Sequence, residues 1–173
     1  MSWRSASFAA AMLMAACALG LAGCGFQPLY GSATASGSRL GDVMAGIEIT
    51  PIPGRVGQKV RNELIFASTG GNYAAPAHYK LNIALRESVT DQLVQITGNV
   101  TTQVYQLEAT FKLVNAADGK VIAQGSAMSR APFDRFQEIF ANVRARYDAE
   151  NRASKTVSES IRTQIAAQLA NAA

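Results

Sequence analysis

Residues 21–24, with the sequence Leu-Ala-Gly-Cys, constrain this chain more than any other stretch. They close an apolar run that begins near Phe8, behind a short positive region at Arg4. That layout, ending in small residues, is typical of a secretory signal peptide. A cysteine directly after Leu-Ala-Gly is typical of a bacterial lipobox, where the thiol is acylated and the chain is cut before it. We therefore expect residues 1–23 to be removed and Cys24 to carry a lipid.

The alternative for the same run is a membrane-spanning helix. Such a helix needs roughly 20 consecutive apolar residues. This run is shorter, and Gly20, Gly23 and Gly25 interrupt it. The sequence therefore favours a signal peptide.

The loss of the cysteines limits how the mature chain can be stabilised. The chain has two cysteines. We expect Cys17 to leave with the signal peptide and Cys24 to be acylated, so that neither remains as a free thiol. Disulfides, cysteine-metal sites and thiol catalysis are therefore excluded. Removing 23 of the 173 residues leaves 150, which suits one domain or a domain with a tail. Without a covalent crosslink, that domain needs a hydrophobic core.

The charge of the mature chain is only mildly basic. Of 16 Lys and Arg residues only Arg4 is removed, which leaves 15 against 12 acidic side chains and a net charge of +3. These charges are spread along the chain without a basic run, so we expect no nucleic-acid partner. A mildly basic face is still suited to an anionic lipid headgroup.

A tether is expected between the anchor and the folded domain, over residues 24–42. Phe26, Leu29 and Tyr30 lie in a segment too short to bury them, which indicates either a clasp against the domain or a partner, or an apolar linker. The Ser-, Ala- and Gly-rich residues 32–41 predict a flexible tether. We place the folded domain at residues 43–173.

Hydrophobic periodicity predicts one strand and one helix at the start of this domain. Apolar residues alternate from Val43 to Ile49, as on a half-buried strand. Residues 51–54 then end the strand. From Val56 to Ala67 the apolar spacing changes to four residues, which predicts a short amphipathic helix closed by Thr69-Gly70-Gly71.

Three antiparallel strands are predicted next, over about 79–96, 100–114 and 121–129. In the last hairpin we favour a five-residue loop over 115–119, with Gly119 at positive φ and Leu113 opposite Val121. A tight turn pairing Ala117 with Lys120 is the alternative. At the tip of the preceding hairpin the apolar positions change from odd to even numbers. Either a bulge lies near 88–91 or the tip turns its apolar face outward.

The C-terminal part predicts a long helix. Residues 130–147 fit either a helix or an ordered loop, because helical aromatic spacing is accompanied by Pro132. From Ala149 to Leu169 apolar residues recur every four positions in a segment rich in helix formers. The predicted fold is α+β: a four-stranded mixed, largely antiparallel sheet with two helices packed on one face.

No catalytic or cofactor motif is present in the sequence. There is no G-x-S-x-G, G-x-G-x-x-G, P-loop or H-E-x-x-H pattern. The carboxylate pairs Glu87 with Asp91 and Asp148 with Glu150 are interpreted as exposed charges at turns or at a helix start. His78, the single histidine, is interpreted as structural. We expect no enzyme activity, no cofactor and no metal site.

The opening Cys-Gly-Phe-Gln-Pro-Leu-Tyr of residues 24–30 resembles that of the lipopolysaccharide-assembly lipoproteins, the LptE family. The order of elements, the mature length and the patch Tyr-Asp-Ala-Glu at 147–150 are similar as well. The residue that follows Cys24 is Gly25 and not an aspartate, which is similar to the pattern in lipoproteins that are passed on to the outer membrane. The resemblance covers essentially the whole mature chain.

This resemblance implies an outer-membrane lipoprotein, periplasm-facing and lipid-anchored through Cys24. It would pair with the LptD β-barrel as a plug and assembly factor, and would help deliver lipopolysaccharide, which it would bind. The arginines nearest the sheet end and the long helix are the candidate lipopolysaccharide contacts: Arg130, Arg135, Arg144 and Arg146. Two other classes remain open, a generic periplasmic lipid-binding or transport-accessory lipoprotein and an envelope-anchored enzyme.

Overall fold

The computed structural model describes residues 40–71, 76–94 and 100–172. The elements in chain order are α1 (Leu40–Ala45), β1 (Ile47–Ile49), α2 (Gly54–Thr69), β2 (Tyr79–Val94), β3 (Val100–Asn115), β4 (Val121–Asp134) and α3 (Ile139–Ala172). The strands form one sheet in the order β1-β2-β3-β4, in which β1 is parallel to β2 and the other pairs are antiparallel. The predicted α+β fold with a mixed sheet is confirmed. The predicted signal peptide, Cys24 and the predicted tether up to residue 39 lie outside the described residues.

The first element differs from the prediction, because a short helix replaces most of the first strand. Gly46 ends α1: its N–H donates to the carbonyl of Val43 at 3.2 Å, and its own carbonyl accepts the N–H of His78 at 2.9 Å. Strand pairing starts only after this residue, so β1 has three residues. The alternation read at Val43 and Ala45 was too short to separate strand from helix. In α1 it is Met44 that is buried.

Helix α2 has the predicted position and apolar stripe. Val56, Val60 and Leu64 are buried, and the helix ends at Gly70, which has φ 61° and donates its N–H to the carbonyl of Phe66 at 2.9 Å. A left-handed residue at a helix end favours glycine, which has no Cβ to clash.

The core lies between the helices and the odd-numbered face of the sheet. The predicted inner face of β3 is confirmed as buried, and so is the predicted stripe of α3. These two sets are Tyr105, Leu107, Ala109, Phe111 and Leu113, and Ala149, Ala153, Val157, Ile161, Ile165 and Leu169. The even-numbered side chains of β2 and β4 are exposed over residues 80–88 and 124–134. One face of the sheet is therefore open.

The β3–β4 hairpin keeps the predicted face but not the predicted register. Leu113 pairs with Ala123 rather than with Val121, and a bulge follows between Leu113 and Val114. The loop has the predicted five residues but spans 116–120 instead of 115–119, and the N–H of Asn115 donates to the carbonyl of Lys120 at 2.9 Å. Gly119 has the predicted positive φ, at 70°. Both arrangements keep apolar residues on one side, so the alternation alone did not distinguish them.

The β2–β3 hairpin contains a bulge toward its tip. The β2–β3 register shifts between Asp91 and Val94, slightly beyond the predicted place. Val104, which is buried although it has an even number, pairs with Thr90 before this shift, so the bulge does not account for its position. Ile96, at the tip, lies outside the described residues.

The segment 130–147 is part strand and part helix. β4 continues through Asp134, with Phe133 buried and opposite Gln103, and α3 begins at Ile139.

Helices α2 and α3 run in the same direction. Arg55, at the start of α2, contacts Glu150, and Val60, near the middle of α2, contacts Ser158, which comes later in α3. Residues 139–148 of α3 therefore extend beyond the start of α2, and we call them the overhang.

Side chains of α3 cover the free edge of β4. Gln168 both accepts the backbone N–H of Gln124 and donates to its carbonyl, each at 3.1 Å. Gln164 donates to the carbonyl of Ser126 at 2.9 Å. An edge strand offers unpaired backbone groups to other chains, and these amides occupy part of that edge.

Candidate interaction surface at the start of the long helix

Exposed apolar side chains concentrate at the overhang and the loop before it. Five of the nine exposed large hydrophobic residues in the described part of the chain lie between 136 and 147. Ile139 is 82% exposed and Phe140 75% exposed. We call these five residues the apolar ridge: Phe136, Ile139, Phe140, Val143 and Tyr147. Single exposed apolar residues are common on proteins, whereas a contiguous group indicates an interaction surface.

Four residues of the ridge lie in α3, and Phe136 lies in the loop just before it. Members of the ridge recur at steps of four, three and four residues from Phe136 through Phe140 and Val143 to Tyr147. Residues at this spacing share one side of an α-helix. The aromatic spacing was apparent in the sequence, but its exposure was not.

Hydrogen bonds and a cation–π contact hold both ends of the ridge. The side chain of Asn142 accepts the N–H of Phe136 and donates to its carbonyl, each at 2.6 Å. This reciprocal pair fixes the loop residue onto the first turns of α3. At the other end, the guanidinium of Arg55 lies 4.4 Å from the ring centroid of Tyr147, within the range of a cation–π contact.

A buried carboxylate lies beneath the ridge. Glu150 is 4% exposed and forms ion pairs with Arg55 from α2 and, at 2.9 Å from Nε to Oε1, with Arg146 from α3. Both arginines are half-exposed. These three side chains, with Val143 and Glu87, line a cleft of about 440 Å³. The ion pairs fasten the start of α2 to the base of the overhang.

A second buried polar contact adjoins this cleft. The hydroxyl of Tyr105, which is fully buried, donates to Oε2 of Glu87 at 2.8 Å. Burial, followed by this hydrogen bond, raises the pKa of Tyr105 far above its ordinary value. The hydroxyl therefore stays protonated and remains a donor to Glu87 throughout the physiological pH range. Among the described residues, every buried side-chain nitrogen or oxygen has a hydrogen-bond partner.

The four arginines predicted from the sequence do not form one cluster. Arg130 is on the open face of the sheet, where its Nε donates to Gln106 at 3.0 Å. Arg146 is on the helix side, paired with the buried carboxylate. Arg135 and Arg144 are exposed next to members of the ridge. The sheet thus separates Arg130 from Arg146, and only Arg135 and Arg144 flank the ridge with their charges unpaired within the described residues.

The carboxylates predicted as exposed charges have mixed outcomes. Asp148 is exposed and pairs with Arg152 at 2.8 Å, and Asp91 accepts a hydrogen bond from Gln103 at 2.8 Å. Glu150, however, is buried, and α3 begins eleven residues before it, so the interpretation as a charge at a helix start was wrong. Its partner Arg55 is distant in sequence, and only the pairing with Arg146, four residues away on one helix, was visible as a signal.

The described ranges contain no group of three or more His, Cys, Asp or Glu side chains that could hold a metal ion. Across the same ranges, no helix has both the length and the apolarity needed to cross a bilayer.

Replacing Glu150 with alanine is expected to lower the free energy of unfolding by about 1–3 kcal/mol. Removing one partner of a buried ion pair costs about 3–5 kcal/mol when the other charge stays buried. Here the arginines can turn toward water, which reduces that cost. Urea unfolding followed by circular dichroism measures the change. Asp148→Ala, which removes an exposed carboxylate two residues away, is the matched control and should change stability by less than about 0.5 kcal/mol. Equal losses for the two variants would contradict the structural role of Glu150.

Together these observations define a mixed-sheet α+β domain with one open sheet face and a rigid apolar ridge on its long helix. Two solved structures have a similar fold. A candidate lipoprotein from Caulobacter crescentus CB15 has a TM-score of 0.63 at 20% sequence identity, over 76% of this chain and 96% of that one. The rare lipoprotein B from Shewanella oneidensis has a TM-score of 0.56 at 13% identity, over 73% of this chain and 96% of that one. At these identities the likeness concerns the fold.

The comparison by sequence gives no such match. No model of a protein family matches the chain, and no curated protein matches it. The similarity to these two structures is therefore one of fold and not of sequence.

Proposed function

We propose that this protein is a non-enzymatic outer-membrane lipoprotein, anchored through Cys24, that pairs with an LptD-type β-barrel. In this role it acts as plug and assembly factor for the delivery of lipopolysaccharide to the outer leaflet. The observation that carries the proposal is the Cys-Gly-Phe-Gln-Pro-Leu-Tyr opening at residues 24–30 on a chain with this α+β fold. The two structural neighbours, described as lipoproteins, support the anchored location.

The open face of the sheet supports a place inside a barrel. Its exposed side chains are mainly polar, and four of them are basic: Lys80, Arg86, Lys112 and Arg130. The lumen of a large outer-membrane barrel is also polar and hydrated. Such a lumen accepts a folded domain whose uncovered face is hydrophilic.

Lipopolysaccharide binding by the same protein would use arginine. Guanidinium groups bind phosphate with two parallel hydrogen bonds. Of the four candidate arginines, Arg135 and Arg144 have no ion-pair partner among the described residues, whereas Arg146 is paired with Glu150. Charge reversal at Arg135 and Arg144 should therefore weaken lipopolysaccharide binding more than reversal at Arg146. Unchanged binding in all three variants would remove these arginines from the proposal.

Co-purification tests the pairing with a barrel. The full-length lipoprotein, tagged at its C-terminus, is expressed together with the LptD-type barrel of the same genome and extracted in mild detergent. We expect the barrel to be recovered in equimolar amount, and not with an unrelated lipoprotein that carries the same signal peptide and tag. Recovery of the intact lipoprotein without a barrel would reject the proposal and favour a generic lipid-binding lipoprotein.

A further inference from the structure

We propose that the apolar ridge inserts into an apolar groove on the partner barrel, with carboxylates of the barrel at the rim of that groove. This inference rests on the proposed function and assigns the surface by which the partner is held. It treats the overhang as a helical ligand presented by the domain. Its support comes from the shape, rigidity, charge and position of the overhang.

The shape of the ridge fits a groove in a protein. The ridge is a row of side chains projecting from the start of α3 and from the loop before it, and not a concave site. Acyl chains and small ligands are usually held in pockets that surround them. A helix with apolar residues at steps of three and four residues is instead the form that proteins insert into hydrophobic grooves of their partners.

The rigidity of the ridge reduces the entropic cost of docking. Asn142 fixes Phe136 through two hydrogen bonds of 2.6 Å, and Arg55 covers one side of the Tyr147 ring. The ion pairs of Glu150 hold the helix below. Binding is weakened by each flexible group that must be ordered, and these contacts restrain the two ends of the ridge before binding.

The charges beside the ridge indicate the chemistry of the groove rim. Arg146 and Asp148 are engaged in ion pairs within the domain. In the described part of the chain, neither Arg135 nor Arg144 has an ion-pair partner. Aromatic residues and arginine are enriched in the centres of protein interfaces, where arginine pairs with carboxylates. The complementary surface is therefore an apolar groove bordered by acidic side chains.

The position of the ridge leaves it accessible in an anchored molecule. The tether enters at α1, and β1 pairs with the first three residues of β2. The overhang follows Asp134, which pairs with Thr102 near the opposite end of the β2–β3 hairpin. About 15 strand steps of roughly 3.3 Å separate these two ends, or about 50 Å. The first described residues of the chain and the ridge thus lie at opposite ends of the sheet.

The first experiment compares two glutamate variants of equally exposed phenylalanines. Phe140→Glu lies in the ridge, and Phe66→Glu, at a residue that is 68% exposed at the end of α2, is the matched control. Both are expressed as full-length lipoproteins with the barrel, and the barrel recovered in mild detergent is quantified. We expect Phe140→Glu to reduce recovery at least tenfold, and Phe66→Glu to leave it within twofold. Equal recovery with both variants would overturn the inference.

Site-specific photocrosslinking in cells identifies the occupant directly. A benzophenone side chain at position 140 should crosslink to the barrel, and one at position 66 should not. A crosslinked pair of two lipoproteins, or a crosslink within one chain to residues 26–30, would overturn the proposed occupant. Binding of the purified lipoprotein to phosphatidylglycerol vesicles that is lost in Phe140→Glu but not in Phe66→Glu would also overturn it, in favour of a membrane surface.

The two proposals fail in different ways. If the wild-type lipoprotein recovers no barrel, the proposed function fails and the docking surface fails with it. If the wild type recovers the barrel and Phe140→Glu recovers as much, the function stands and only the assigned surface is wrong. Circular dichroism of each variant establishes that it is folded, since both substitutions are at exposed positions.

Discussion

Replacing Phe111 with alanine should lower the free energy of unfolding by about 3–5 kcal/mol. Phe111 is buried in β3, and the residue directly opposite on β4 is Gly125. Because glycine has no side chain, the opposite position cannot fill the cavity that the lost ring leaves. The cost of a large-to-small substitution rises with the volume of the cavity that persists, so we expect a value in the upper part of the range.

The same pair makes a compensating substitution possible. A Cβ atom added to Gly125 would lie 2.9 Å from Cε1 and Cζ of Phe111 and 2.7 Å from Oε1 of Gln164. Gly125→Val alone should therefore destabilise by about 1–3 kcal/mol through overpacking. In the double variant the valine occupies space that the ring has left. We expect the double variant to be more stable than the sum of the two single effects by at least about 1 kcal/mol.

Urea unfolding of the detergent-solubilised lipoprotein, followed by far-ultraviolet circular dichroism, measures all three variants. Thr110→Ala, one residue away on the open face of the sheet, is the control and should change stability by less than about 0.5 kcal/mol. Strictly additive effects of the two substitutions would show that Phe111 and Gly125 do not share one packing site, which would contradict the observed register.

The outcome for this hairpin illustrates what periodicity predicts about the fold. Alternation along β3 identified Phe111 and its neighbours as buried, and four-residue spacing identified six buried residues of α3, though not the buried Ser154, Ser158 and Ala166. Both patterns report which side of an element faces the core. The strand register depends in addition on which residues fit opposite one another. A two-residue shift keeps the alternation, so the pairing of Phe111 with Gly125 was not determined by it.

The candidate site was less predictable than the fold for a similar reason. The spacing of Phe136, Phe140, Val143 and Tyr147 indicated a helical side, but a buried and an exposed side have the same spacing. The exposure results from α3 extending past α2, a property of two helices placed side by side. The burial of Glu150 likewise depends on Arg55, which is far from it in sequence. Such tertiary neighbours leave no local pattern.

Replacing Cys24 with serine should abolish membrane anchoring. The thiol is the group expected to be acylated, and the hydroxyl of serine is a far weaker nucleophile that the lipobox does not use. Each buried methylene of an acyl chain contributes about 0.8 kcal/mol to membrane binding, so the loss of the lipid removes most of that energy. We also expect the 23-residue signal peptide to remain attached, since cleavage follows acylation. Labelling with radioactive palmitate and the shift in mass measure both effects.

Cys17 provides the matched control, because it is the other cysteine of the chain and lies within the predicted signal peptide. Cys17→Ser should be acylated, cleaved and fractionated with the outer membrane like the wild type. A Cys24→Ser variant that is still labelled and cleaved would exclude Cys24 as the anchor. Loss of labelling in both variants would indicate that the signal peptide, and not one thiol, had been damaged. Only loss confined to Cys24→Ser agrees with a lipid anchor at this position, to which residues 25–39 connect the folded domain.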